Sequence, residues 1–145
     1  MTTTMTAART LLEVAGSRVI EHLGGAETNG AVALLEFAVT SGYPVPPPHV
    51  HEREDELTYV LEGTLEVQIG DETRVLGAGE SVLKPRGIPH TFRVPGQSGA
   101  RFLELLTPAG FESYFRAAGA ALHRGAAPTP ELATSLMASY GVTAA

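Results

Sequence analysis

Cysteine is absent from this sequence of 145 residues. Its absence excludes disulfide bonds, thiolate metal sites and cysteine nucleophiles. Basic residues are scarce as well: 10 lysines and arginines stand against 16 acidic residues, and the formal net charge is -6. Because no local Lys/Arg cluster offsets a charge that repels phosphate backbones, we expect no nucleic-acid partner.

Long apolar runs are also missing. The longest, Ala31 to Leu35, ends at Glu36 and is far too short to span a bilayer. The Thr-rich start lacks the basic and apolar regions of a signal peptide. We therefore expect a soluble cytoplasmic protein with no membrane partner.

Glycine and proline are abundant, with 16 and 10 residues, and they separate short apolar runs at regular intervals. This pattern favours an all-β sandwich or barrel over a helical bundle. The length fits one domain that can bury a core without covalent staples.

Three regions divide the chain. Residues 1–30 form an N-terminal segment with a possible edge strand, in which Met1 to Ala8 are expected to be loosely ordered. Residues 31–107 form the barrel, where Leu57 to Gly79 predicts a meander of antiparallel neighbours joined by tight glycine turns. Residues 108–145 form a helical extension, with helices that begin at the caps Thr107 and Thr129.

Histidines and one carboxylate have the spacing of a metal site. His49 and His51 leave an extended strand on the same face because they are two residues apart. Glu56 stands at the foot of the next strand, and His90 follows a Pro/Gly turn onto a later one. This ligand set suits one divalent transition metal, Fe, Mn, Ni, Co, Cu or Zn, and does not choose among them. Asp55 competes with Glu56 for the carboxylate role.

The full spacing resembles the two paired motifs of the cupin superfamily. The residues that carry this resemblance are Gly42-x6-His49-x-His51-x4-Glu56-x6-Gly63 and Gly79-x5-Pro85-x-Gly87-x2-His90. The resemblance implies an all-β double-stranded β-helix, or jelly-roll, with C-terminal helices and a metal inside one open end. It implies the ligands His49, His51, Glu56 and His90. Val94 departs from the motif, which often has asparagine there.

Strand phase predicts the pocket wall. If His90 points inward, Phe92 does too; if Glu56 points inward, so do Thr58 and Val60. These three residues are the candidate substrate contacts, although Phe92 is equally compatible with a plain core position.

The segment from His49 to Gly63 and the run Thr107 to Phe115 resemble small single-barrel cupins related to quercetin dioxygenases. That resemblance implies O2-dependent cleavage of a phenolic or enolic small molecule, with Glu56 as both ligand and catalytic base. Two alternatives stay open: an O2-independent isomerase, cyclase or lyase of secondary metabolism, and a non-catalytic small-molecule binder. We expect a homodimer.

Overall fold

A six-stranded antiparallel sheet forms one layer of the computed structural model, which describes residues 7–145. Its strands, in spatial order, are β1 (Arg9–Val14), β2 (Ser17–Leu23), β3 (Ala33–Val39), β10 (Ala100–Thr107), β5 (Asp55–Gly63) and β8 (Ser81–Lys84). The hairpin of β1 and β2 turns at Ala15 and Gly16, both with positive φ. Loose order was expected for Met1 to Ala8, and the first six of these residues lie outside the part of the chain that the structure describes.

A five-stranded antiparallel sheet forms the second layer. Its order is β11 (Val142–Ala144), β4 (His49–His51), β9 (His90–Arg93), β6 (Leu65–Ile69) and β7 (Glu72–Leu76). These two sheets with the helices that follow confirm the predicted all-β jelly roll with C-terminal helices. The strand β11 was not anticipated: it brings residues of the expected helical extension against β4, with Val142 opposite His51.

The predicted meander is wrong at two of its turns. β6 and β7 do pair across Gly70 and Asp71, but β5 and β6 lie in different sheets, as do β7 and β8. At Gly63 the chain turns from one sheet into the other with φ at 80° and passes close to the carbonyl of Gly99. A short turn forces antiparallel pairing only when the strands share a sheet, and here it forms a corner.

The core lies between the sheets and follows the two-residue alternation of the strands. Along β3, for example, Ala33, Leu35, Phe37 and Val39 are buried and the residues between them are half-buried. Phe37 packs its ring against Phe102 at 5.0 Å and edge-on against Phe115 at 5.3 Å. Full burial of each such side chain contributes about 1.5–3 kcal/mol.

Three helices complete the described part of the fold: α1 (Gly25–Thr28), α2 (Glu112–His123) and α3 (Pro130–Ala138). Thr107 does not cap α2 as predicted, because β10 continues through Thr107 and the helix begins five residues later. Thr129 does cap α3, accepting a hydrogen bond from the Leu132 N–H at 3.2 Å. Within residues 7–145, no helix is both long and apolar enough to cross a membrane.

Candidate metal centre

Three buried histidines meet where the five-stranded sheet faces the interior. His49 and His51 share a face of β4, and His90 begins β9 directly opposite His49. Each offers a ring nitrogen, and these nitrogens all lie within 4.8 Å of one another. The structure therefore brings the three sequence-predicted histidines to one point, a separation that a single ion can bridge.

Hydrogen bonds orient two of the rings. The Nδ1–H of His49 donates to the carbonyl of Pro47 at 2.8 Å, and that of His51 donates to the Glu54 carboxylate at 2.9 Å. Each ring therefore presents the lone pair of Nε2, as metal-binding histidines do when a neighbour holds the other nitrogen. Glu54 thus orients a candidate ligand, a role that the sequence analysis did not assign to it.

A metal ion fits this donor set. The Nε2 of His51 is buried and has no hydrogen-bond partner among the described residues, an arrangement that an ordinary core histidine avoids. Burial lowers the pKa of His49 to about 4, and burial also lowers the pKa of His90. Both rings are therefore neutral at pH 7, the protonation state that metal binding requires.

Glu56 reaches the histidines from the opposite sheet. Its Oε2 accepts a hydrogen bond from His90 Nε2 at 2.9 Å, and its Oε1 lies 3.5 Å from His51 Nε2. Asp55 faces the other way and binds the backbone N–H and guanidinium of Arg86 at 2.9 and 3.1 Å. Of the two carboxylates that competed in the sequence, Glu56 is thus the one beside the rings.

A buried lysine and a second buried glutamate adjoin Glu56. Lys84 stands opposite Glu56 in the β5–β8 pairing, and its Nζ lies 3.2 Å from Glu56 Oε2. The same ammonium donates to both oxygens of Glu104 at 3.0 Å, and the Thr58 hydroxyl also donates to Glu104. One positive charge therefore lies between two carboxylates.

Sequence reasoning missed both Lys84 and Glu104. A usable signal existed for Glu104, which alternates with the inward residues Phe102 and Leu106 on β10. This signal was weak because Leu103 and Leu105, which lie on the opposite face of β10, are apolar as well. Lys84 ends a short strand before Pro85, where a charged residue ordinarily faces water.

The surroundings of Glu56 and Glu104 shift the pKa values of the two carboxylates in opposite directions. Burial acts to raise the pKa of Glu56, but the charge of Lys84 and the hydrogen bond from His90 hold it well below its usual range. Burial raises the pKa of Glu104 to about 7, with Glu56 adding to the rise and Lys84 opposing it. Burial alone would lower the pKa of Lys84, but Glu104 and Glu56 raise it.

These groups line a cavity of about 60 Å³. Its charged and histidine lining residues are His49, Glu56, Lys84, His90 and Glu104. The rest is mainly apolar, formed by residues such as Leu35, Phe37, Phe92, Leu106, Phe111 and Met137.

Of the three candidate substrate contacts, Phe92 lines this cavity, and Thr58 and Val60 are not among its lining residues. Both lie on the inward face of β5 but are fully buried in the core. The Thr58 hydroxyl is engaged by Glu104.

Comparison with known proteins gives a family for the central part of the chain. The family model described as Cupin domain matches residues 35–106, which include the three histidines, Glu56, Lys84 and Glu104. The match runs from β3 to β10 and so includes strands of both sheets.

Several curated proteins are similar over the same region. A putative germin-like protein 3-2 of Oryza sativa subsp. japonica is 34% identical over 87 residues, which cover 56% of this chain and 38% of that protein. Polyketide synthase CurC of Streptomyces cyaneus is 38% identical over 60 residues, covering 41% of this chain and 39% of the relative. The chain thus spans about two fifths of the length of these relatives.

Solved structures share the architecture. KdgF from Halomonas sp. superimposes with a TM-score of 0.61 at 21% identity, covering 72% of this chain and 92% of that one. TT1209 from Thermus thermophilus superimposes with a TM-score of 0.50 at 32% identity, covering 55% of this chain and 74% of that one.

Proposed function

This chain belongs to the cupin superfamily, and from that premise we propose that it is a metal-dependent dioxygenase acting on a phenolic or enolic small molecule. One observation carries the proposal. The imidazoles of His49, His51 and His90 converge beside the Glu56 carboxylate, and His49, His90 and Glu56 line a cavity whose other lining residues are mainly apolar. Such a cavity suits a largely apolar guest with one or two oxygens that can chelate.

His49, His51 and His90 would hold the metal, with Glu56 as the fourth ligand. A divalent transition metal bound there supplies Lewis acidity toward a substrate oxygen and, for redox-active ions, chemistry with O2. The remaining steps belong to the side chains around it.

Glu56 is the candidate base. Its Oε2 is engaged by His90 and Lys84, so Oε1 is the oxygen free to accept a hydroxyl proton from the substrate. The low pKa of Glu56 keeps this carboxylate ionised at neutral pH, so it has no proton of its own and its lone pairs face the substrate. General-base catalysis of this kind typically contributes about 10²- to 10⁴-fold in rate.

Lys84 is the candidate electrostatic partner of the ionised substrate. Its ammonium is buried and lines the same cavity as Glu56 and His90. Once Glu56 has accepted a proton, its carboxyl becomes neutral and the charge of Lys84 is left to face the substrate oxyanion. A fixed cation in a site that excludes water stabilises such a developing charge more strongly than solvent does.

A second candidate is an O2-independent isomerase, cyclase or lyase. It is supported by the similarity to a protein named polyketide synthase CurC and by a second one, protein SchB of Streptomyces halstedii, at 35% identity over 60 residues. The same Glu56 and Lys84 would remove a proton and stabilise an enolate without any oxidant.

Oxygen dependence separates the two candidates. Purified protein is analysed for metal content, loaded in turn with Fe, Mn, Ni, Co, Cu or Zn, and mixed with catechol or a flavonol in air and under argon. Oxygen uptake with loss of the flavonol or catechol absorbance supports the dioxygenase. A charge-transfer band without oxygen uptake favours the O2-independent reading. Binding without product under either gas would leave a non-catalytic binder, and failure to bind any of the metals would overturn both enzymes.

We also propose that the protein is a cytoplasmic homodimer. The absence of cysteine suits a reducing compartment. The dimer is supported by the outer face of the six-stranded sheet, where large apolar side chains such as Leu57, Tyr59 and Leu83 are exposed.

A further inference from the structure

A second cavity adjoins the metal cavity and is the larger of the two. It measures about 170 Å³, against about 60 Å³ for the cavity at the histidines. The two share five lining residues, Tyr43, Pro44, Pro46, Tyr114 and Ala133, so the two cavities adjoin each other along these residues. The remainder of its lining comes from β1, α2 and α3, with the loops beside them.

Among the residues that the structure describes, no charged side chain lines this second cavity. Aliphatic residues and prolines dominate it, and they include Leu12, Val14, Val45, Leu122, Leu132 and Leu136. The hydroxyl of Thr129 is already engaged as the cap of α3. A guest in this space therefore gains burial of apolar surface and few polar contacts.

The helix α3 covers the cavity without filling it. Leu132, Ala133 and Leu136 line the cavity from this helix, whose fully buried residue is Met137. An apolar helix face over empty volume forgoes the dispersion contacts that atoms in that volume would supply. A ligand of matching shape would restore them.

The metal cavity is too small to hold an extended substrate by itself. Pockets for ligands of drug size commonly measure roughly 300–1,000 Å³. A phenolic or enolic head group with a substituent must therefore extend beyond the histidines, and the adjoining apolar space is the continuation that the fold offers.

We propose that the second cavity binds an alkyl or aryl extension of the substrate whose oxygen-bearing head group lies at the metal centre. This inference rests on the proposed function for the identity of the head group. The chain thus selects phenols or enols with an apolar arm, and the residues around α3 set the length of that arm.

A series of 4-alkylcatechols tests the proposal. The protein is loaded with Zn²⁺, which is redox-inert, and the affinities of catechol and its 4-methyl, 4-butyl and 4-hexyl derivatives are measured by isothermal titration calorimetry. We expect the affinity to rise about two- to fourfold for each added methylene, the increment of ordinary hydrophobic transfer, until the cavity is full.

Two variants that fill the second cavity test whether the alkyl chain of the catechol binds there. Ala118→Leu extends a buried residue of α2 into the second cavity alone, and Leu132→Trp does so from the half-buried face of α3. Both should abolish the gain from added methylenes. Ala120→Leu makes the same change at an exposed position of α2 and should keep the gain. Thermal unfolding of each variant identifies any that fails to fold, and the other filling variant then decides.

The outcomes separate this inference from the function on which it rests. Catechol binding that does not strengthen with chain length overturns the second cavity and leaves the metal-centre proposal standing. If catechol itself does not bind, but affinity rises with the length of the alkyl chain and Ala118→Leu abolishes that rise, the head-group assignment is overturned and the apolar cavity stands. If affinity still rises with chain length in both cavity-filling variants, the alkyl chain does not bind in the second cavity.

Discussion

Lys84 lies between two buried carboxylates, and its single charge cannot neutralise both. Glu56 has the additional donor His90, whereas the additional donor of Glu104 is the hydroxyl of Thr58. The charge of the group therefore resides on Glu56, whose pKa is low, while burial raises the pKa of Glu104 to about 7. Two carboxylates whose environments move their pKa values apart are a common arrangement in acid–base sites.

The variant Glu56→Gln, which replaces one oxygen of the side chain, tests whether Glu56 acts as the catalytic base. Glutamine retains an oxygen for a metal or a donor but cannot accept a proton, so we expect turnover to fall by about 10²-fold or more while part of the metal is retained. Steady-state kinetics on the active substrate and elemental analysis provide the two readouts.

Asp55→Asn is the matched control for this change, because Asp55 is the neighbouring acid and binds the exposed Arg86 instead of the histidines. It should leave turnover and metal content near those of the parent. Full activity in the Glu56→Gln variant would contradict the proton-transfer role.

Glu104→Gln tests the raised pKa of the second carboxylate in metal-free protein. The folded state keeps Glu104 protonated up to about pH 7, whereas the unfolded chain releases that proton near its ordinary pKa of 4.5. Between these pH values the folded state binds more protons, so this group contributes stability that is present below pH 4.5 and is lost as pH rises toward 7.

The free energy of unfolding from urea titrations, taken as parent minus variant, isolates this contribution from that of the histidines. We expect the difference to fall by on the order of 1–3 kcal/mol between about pH 4.5 and 7 and to level off above. A difference that rises with pH over this range would mean that Lys84 dominates and that Glu104 is ionised in the folded protein.

At the scale of elements, the corner between β5 and β6 depends on Gly63. Its φ is 80°, and a Cβ added there would lie 2.5 Å from the Gly99 carbonyl oxygen and 3.0 Å from the Ala100 Cα. Both obstacles are backbone atoms of the neighbouring strand region and cannot rotate away. We expect Gly63→Ala to lower the free energy of unfolding by roughly 2–4 kcal/mol, from the left-handed conformation and the clash together.

Gly79→Ala separates these two causes. Gly79 has nearly the same φ, 85°, but none of the described residues places an atom within 4 Å of its added Cβ. Its cost should therefore be the conformational part alone, about 1–2 kcal/mol. Urea unfolding of both variants gives the comparison, and equal losses would show that the corner does not depend on the close approach at Gly63.

The elements show what local sequence could and could not predict. The two-residue spacing of His49 and His51 fixes a common face whichever sheet β4 joins, so this placement was predictable. Sheet membership depends on distant partners, and a glycine turn looks the same at a hairpin and at a corner. Hence the exchange of sheets at Gly63 was missed. Val142–Ala144 carried no strand signal because its three residues gain their partner only when α3 brings them beside β4.

At the scale of the whole molecule, the candidate site joins the two layers. His49, His51 and His90 come from the five-stranded sheet, while Glu56, Lys84 and Glu104 come from the six-stranded sheet. Packing between the sheets therefore sets the distance between the nitrogens and the carboxylates. The aromatic cluster of Phe37, Phe92 and Phe102 spans this interface beside the cavity and holds the spacing.

The outer face of the six-stranded sheet is the surface that we expect a second copy to cover. A row of leucines crosses four strands, with Leu34 beside Leu105, Leu105 beside Leu57 and Leu57 beside Leu83. Leu57 and Leu83 are 37% and 53% exposed, and Tyr59 is 40% exposed. The charges nearby are paired, as in Asp55 with Arg86. An uncharged apolar row can face its own copy across a two-fold axis without repulsion.

Leu83→Glu should therefore convert a dimer into a monomer, because two carboxylates would be buried against apolar surface when the rows meet. Sedimentation or light scattering gives the mass, which is expected to halve relative to the parent. Val75→Glu introduces the same charge at a position of the five-stranded sheet that is 62% exposed, and it should keep the dimer. A monomeric parent would remove the proposed dimer altogether. A dimer that Val75→Glu disrupts and Leu83→Glu does not would move the interface to the other sheet.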